Sequence, residues 1–86
     1  MHEASLTKNL LKKILEIAER EQASRVLSVQ VRLGALSHMS PGHFREHFDA
    51  VAGGTIAEGA AIEAVEETDI ASPTATEVIL ESVDLA

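Results

Sequence analysis

Apolar residues recur three and four positions apart through the first twenty residues. They are Leu6, Leu10, Leu11, Ile14, Leu15, Ile17 and Ala18, with Lys8, Lys12, Lys13, Glu16, Glu19 and Arg20 between them. That spacing lays one apolar stripe along a helix and predicts an amphipathic helix from about Ala4 to Glu21. The period then drops to two. Val29, Val31 and Leu33 alternate with Gln30 and Arg32, which predicts a half-buried strand over Val26 to Leu33, ended by Gly34. Ser40-Pro41 reads as an N-cap followed by proline at the first helical position. Phe44, Phe48 and Val51 then mark a second helix, about Pro41 to Ala52, which Gly53-Gly54 stops.

A second strand is predicted at Ala61 to Glu67, with Ile62 and Val65 only partly in phase. Asp69 to Thr76 is a short loop containing Ser72-Pro73. As a mere connection, its sequence is expected to matter little. The last run, Glu77 to Leu85, is a third strand whose apolar phase changes from Val78 and Leu80 to Val83 and Leu85. One extra residue restores the facing, so a bulge or twist is expected near Ser82. The order α-β-α-β-β predicts an α+β two-layer sandwich, two helices packed on a three-stranded sheet. The second and third strands, joined by a short loop, are expected to pair antiparallel. No internal repeat or linker divides the chain, so residues 1–86 read as a single domain.

Composition narrows the function. A chain of 86 residues supports one small core. That core is aliphatic, because only Phe44 and Phe48 are aromatic. A net charge of −7 argues against nucleic acid or an anionic membrane as partner and favours cations or basic protein patches. With no cysteine, disulfides, thiolate metal sites and thiol catalysis are excluded. No apolar run approaches the roughly 20 residues of a spanning helix. The basic and apolar regions of a signal peptide are missing from the start. A cytoplasmic protein is expected.

Chemistry concentrates at Met1-His2-Glu3. A free α-amine, the His2 amide nitrogen and the His2 imidazole can close fused chelate rings around one metal ion, with Glu3 as a further donor. Nitrogen donors in one plane suit Ni(II) or Cu(II). The same residues also read as a solvated chain end. His43 and His47 stand four apart on the second helix, a spacing that can hold a metal but equally suits a solvated face beside Arg45 and Glu46. His38 lies in the loop before that helix and is a weaker candidate ligand. Catalysis is not expected. The serines lie in no nucleophile turn, Glu66 and Glu67 point to opposite faces of a strand, and Gly53-Gly54 and Gly59 form no phosphate loop.

Met1-His2-Glu3 with Ser5-Leu6, Gly34-Ala35-Leu36-Ser37, Ser40-Pro41, the stretch from Gly54 to Ala60 and the closing Glu77 to Leu85 together resemble the HypA/HybF family of hydrogenase nickel-incorporation proteins. The resemblance covers nearly the whole chain. It implies an α+β nickel-binding domain with a zinc domain inserted before the last strand, and delivery of Ni(II) to a nickel–iron hydrogenase precursor together with a GTPase partner. It implies a nickel site made of the terminal amine, the first backbone amides and the imidazole, carried here by Met1, His2 and Glu3. Two features depart from the family. Its zinc domain carries two cysteine pairs, whereas this chain has none and only Asp69 to Thr76 in that place, so no zinc is expected. Ser40 stands where the family often has an acidic residue, a loss that His38 is placed to offset. The expected function is that of a nickel metallochaperone. The alternative is a HypA-like protein-interaction module that has lost metal transfer, with self-assembly left open.

Overall fold

The computed structural model describes residues 3–86, with side chains from Leu6 onward. Helix α1 spans Glu3–Arg20. Leu11, Ile14 and Ala18 are buried along its apolar stripe, and Thr7 is buried with them. The helix closes without glycine. Gln22 takes a left-handed φ of 57°. Its N–H reaches the Glu19 carbonyl at 3.0 Å, and the Ala23 N–H reaches that of Ala18 at 2.9 Å. These paired bonds satisfy carbonyls that a helix end otherwise leaves open.

Strand β1 covers Val26–Leu33, helix α2 Pro41–Ala52, strand β2 Ala61–Glu66 and strand β3 Val78–Leu85. The sheet order is β2-β1-β3. β1 pairs parallel with β2 and antiparallel with β3. The expected antiparallel pairing of the second and third strands is therefore wrong. β1 is the strand with the most buried side chains, Val26, Val29, Val31 and Leu33, so it takes the centre. α2 is the crossover that returns β2 parallel to it. β3 takes the opposite edge, and the segment between β2 and β3 passes the end of β1 instead of folding into a hairpin.

That segment is tied to β1 and to the residues after it through its backbone. The Glu67 N–H donates to the Leu33 carbonyl at 2.8 Å, Gly34 to Glu77 at 2.8 Å and Leu36 to Ala75 at 2.6 Å. A Cβ on Gly34 would stand 2.2 Å from the Ala75 carbonyl oxygen, so glycine is required by the close approach of two backbones. Only the outer part, around the exposed Ile70, is free of such ties.

Two register shifts interrupt the β1–β3 ladder. One falls where Gln30 pairs with Ser82 and Val31 with Leu80, leaving Glu81 as the extra residue, one position from the expected bulge. The other leaves Leu27 extra, so Val26 and Val29, three apart, both face inward. The helices cover this inward face, α2 over β2 and α1 beside both α2 and β3. Leu6, Leu10 and Ile17 of α1 border a groove against Val78, Leu80 and Val83. The other face is polar. Ser28 hydrogen-bonds Asp84, Ser82 donates to Gln30 at 2.6 Å, and Arg32 meets both Glu81 oxygens at 2.8 and 2.9 Å. The hydrogen bonds to Glu81, and then the Glu81 and Glu67 charges, raise the Arg32 pKa above its ordinary value.

Candidate metal centre

Three sequence-predicted sites bear on metal binding. The first, Met1-His2-Glu3, lies outside the described residues except for the Glu3 backbone, where α1 begins. The N–H groups of the first helical turn have no carbonyl four residues earlier to accept them. Amides at this point are thus the ones free for other use, and Glu3 stands at the end of the helix dipole that favours negative charge.

The second candidate, His38, is exposed on the segment between β1 and α2. Its φ of 60° is left-handed, an uncommon conformation for a side chain with a Cβ. It borders a small cleft with Gly34, Ser40, His43 and Glu66. Glu66 enters this group through the parallel pairing of β2 with β1, which sets it opposite Leu33. Sequence reading treated it only as half of an acidic pair, because nothing local signals the parallel crossover. These groups share a cleft without converging. Among the described residues, no cluster of three His, Asp or Glu side chains is disposed to hold one ion.

The third candidate is the pair on α2. Ser40 has the extended backbone of an N-cap, and its Oγ accepts the His43 N–H at 3.1 Å. Pro41 opens the helix, as the sequence predicts. The cap fixes the turn on which His43 stands, and His47 follows one turn later. The two Nε2 atoms are 3.0 Å apart, with ring centroids at 4.6 Å. His43 is exposed and His47 half-buried. Arg45 does not crowd them, since its guanidinium donates to the Ile62 carbonyl of β2 at 3.3 Å.

The stretch from Gly54 to Ala60 carries no such chemistry. The Gly54 N–H is taken by Glu58, the Ile56 carbonyl receives the Val26 N–H, and Ala57 and Ala60 are buried. It is a turn that seats the start of β1 and β2. No described helix is long and apolar enough to cross a membrane.

Comparison with known proteins bears on the same residues. The family model for HypA, described as hydrogenase/urease nickel incorporation, metallochaperone, matches residues 1–74. The hydrogenase maturation factor HypA of Archaeoglobus fulgidus is 42% identical over 71 residues, 81% of this chain and 64% of that protein. The factor of the same name from Dechloromonas aromatica is 43% identical over 65 residues, 76% of this chain and 58% of that protein. The chain thus spans about three fifths of the length of these curated relatives. The solution structure of the Ni metallochaperone HypA from Helicobacter pylori aligns with a TM-score of 0.81 at 20% identity, covering 99% of this chain and 97% of that chain. At that identity the likeness is one of fold. It extends past residue 74, where the sequence match ends, into β3.

Proposed function

This chain belongs to the HypA family of nickel-incorporation metallochaperones, and from that premise we propose that it binds Ni(II) at its N-terminus and delivers it for the maturation of a nickel–iron hydrogenase. The observation that carries this reading is a family match that starts at Met1 and so includes His2. The Met1 amine, the His2 and Glu3 amides and the His2 imidazole would offer a metal the nitrogen-rich, planar donor set that Ni(II) and Cu(II) prefer. Nickel is cargo here. The chain holds and releases it and carries out no catalytic step. A hydrogenase precursor and a GTPase partner are the recipients and helpers that this role needs.

Because metal displaces protons from the amine, imidazole and amides, nickel affinity rises with pH. The test is a nickel titration of protein with an untagged terminus. About one Ni(II) per chain with a planar coordination spectrum is expected. His2→Ala abolishes that site and leaves circular dichroism unchanged. Tight planar binding that survives His2→Ala, or survives a residue added before Met1, overturns the reading.

The same proposal assigns residues 69–76 as the place where longer relatives carry a zinc domain, and it assigns no zinc to this chain. In support, Leu33 pairs with Glu66 on one side and Val78 on the other. The connecting segment therefore leaves and re-enters the sheet at one end, where an insertion does not interrupt the ladder. A four-cysteine zinc domain inserted after Asp69 and before the anchored Ala75 tests this. A soluble, zinc-loaded chimera with unchanged nickel binding is the expected result, and an insoluble one counts against the position.

A further inference from the structure

The His43–His47 pair has a geometry that the proposed terminal site does not use. Two nitrogens 3.0 Å apart, each about 2.05 Å from a shared cation, subtend about 95° at it. That spacing brings both rings within reach of one cation, and two imidazoles completed by water are a donor set that Ni(II) and Cu(II) accept. Both rings sit on the outer face of α2, so water can fill the remaining positions. In the metal-free chain one ring donates its Nε2 proton to the other. When that proton moves to Nδ1, both Nε2 lone pairs are free for a cation.

We propose that His43 and His47 form a second, solvent-open site for a divalent first-row transition cation, Ni(II) or Cu(II), on the outer face of α2. Three observations favour occupancy. The helix, held at its start by Ser40 and Pro41, already places both nitrogens. The one cation between them in sequence, Arg45, is drawn off to β2. The net charge of −7 concentrates cations near the surface. Two protein ligands and water make an exchangeable site. Such a site gathers metal and yields it to a better donor set, as suits a protein that passes metal on.

The test uses the full chain in a His2→Ala background, titrated with Ni(II) alone, so that the terminal site is silent. About one weaker Ni(II) per chain is expected. Chelation makes the second nitrogen's contribution intramolecular, so His43→Ala or His47→Ala each weakens that binding by about a hundredfold or more. A variant carrying His43→Ala with Glu46→His keeps two imidazoles on the helix but sets them side by side. It is expected to bind no better than the single variant. Ring signals of His43 and His47 shift or broaden first as Ni(II) is added, ahead of His38. Unchanged binding in His43→Ala, broadening centred on His38, or no Ni(II) binding in the His2→Ala background each overturns the proposal. With His2 intact, His43→Ala leaves the tight planar site in place, so failure of one site is distinguishable from failure of the other.

Discussion

Helix α2 carries two pairs of rings at one spacing. Phe44 and Phe48 are four apart, and so are His43 and His47, displaced by a single residue. One residue is about 100° around a helix. That rotation sends the phenyl rings wholly into the core, with centroids 6.1 Å apart, and the imidazoles outward, with centroids 4.6 Å apart. The spacing makes each pair meet; the face decides what the meeting is for. Rings in the core contribute through burial and are held by everything around them. The outer rings stand away from the core, His43 exposed and His47 half-buried, so a ligand can reach them without opening the fold.

The largest effect is expected on the inner pair. Phe48→Ala removes a fully buried aromatic side chain and lowers stability by about 3–5 kcal/mol, read from the denaturant midpoint at unchanged slope. In the fraction that stays folded, nickel uptake by the outer pair persists. If uptake instead fell in step with stability in variants that remain folded, the two faces of α2 would not be independent, and the contrast drawn between them would fail.

Gly34→Ala comes next and acts from the segment leading into α2. Its Cβ meets the Ala75 carbonyl oxygen at 2.2 Å and the Thr74 carbonyl oxygen at 2.5 Å, so backbone must move. A loss of roughly 2 kcal/mol is expected. Because Gly34 also lines the cleft beside His38 and His43, this variant asks whether the imidazole pair depends on that cleft or only on its own helix. Nickel affinity at the pair is expected to hold. A matching loss would tie the pair to the cleft.

Such effects mark what the sequence can and cannot show. Both helices, the Ser40 cap and the bounds of β1 are legible, because each is written in local spacing or local hydrogen bonding. The bulge beside Ser82 is legible for the same reason, since a phase change in Val78, Leu80, Val83 and Leu85 needs one extra residue. Strand partners are not. Whether β3 joins β2 or β1 is settled by which strand buries most, a competition across the whole sheet, and the short loop misdirects the choice. The end of α1 is read to within one residue, Glu21 against Arg20, although Gln22 takes the left-handed position that glycine usually marks. At the candidate site, the i,i+4 spacing of His43 and His47 is visible, but the 3.0 Å approach depends on side-chain torsions that spacing does not carry. The reading of Met1-His2 as a metal site comes from chelate chemistry and family resemblance, and those two residues lie outside the described ones.

A smaller effect is expected at the helix start. Ser40→Ala removes the acceptor of the His43 N–H and is expected to cost about 1 kcal/mol, while Ser40→Asp keeps a good cap and most of the stability. If the cap also steadies the first turn under His43, Ser40→Ala weakens nickel at the pair by a small factor and Ser40→Asp does not. Equal nickel affinity in both variants would show that the helix beyond its first turn is enough.

The smallest effect is expected from the outer pair itself, without metal. A hydrogen bond between two rings in contact with water contributes little net stability. Alanine is the better helix former than histidine by roughly half a kcal/mol, which offsets much of that loss. His43→Ala should therefore leave the metal-free melting temperature almost unmoved. His47→Ala, at the half-buried position, should cost no more than about 0.5 kcal/mol. The same two variants should separate sharply from the parent once Ni(II) is added. A ligand at a hundred times its dissociation constant stabilises the folded chain by about 2.7 kcal/mol, and that gain belongs only to a chain that keeps the pair. Measured in the His2→Ala background, the parent should melt higher with nickel and the two variants should not. A drop of more than about 1 kcal/mol in the metal-free variants would place these rings with Phe44 and Phe48 as packing, and their 3.0 Å approach would then be a consequence of the fold rather than a site on it.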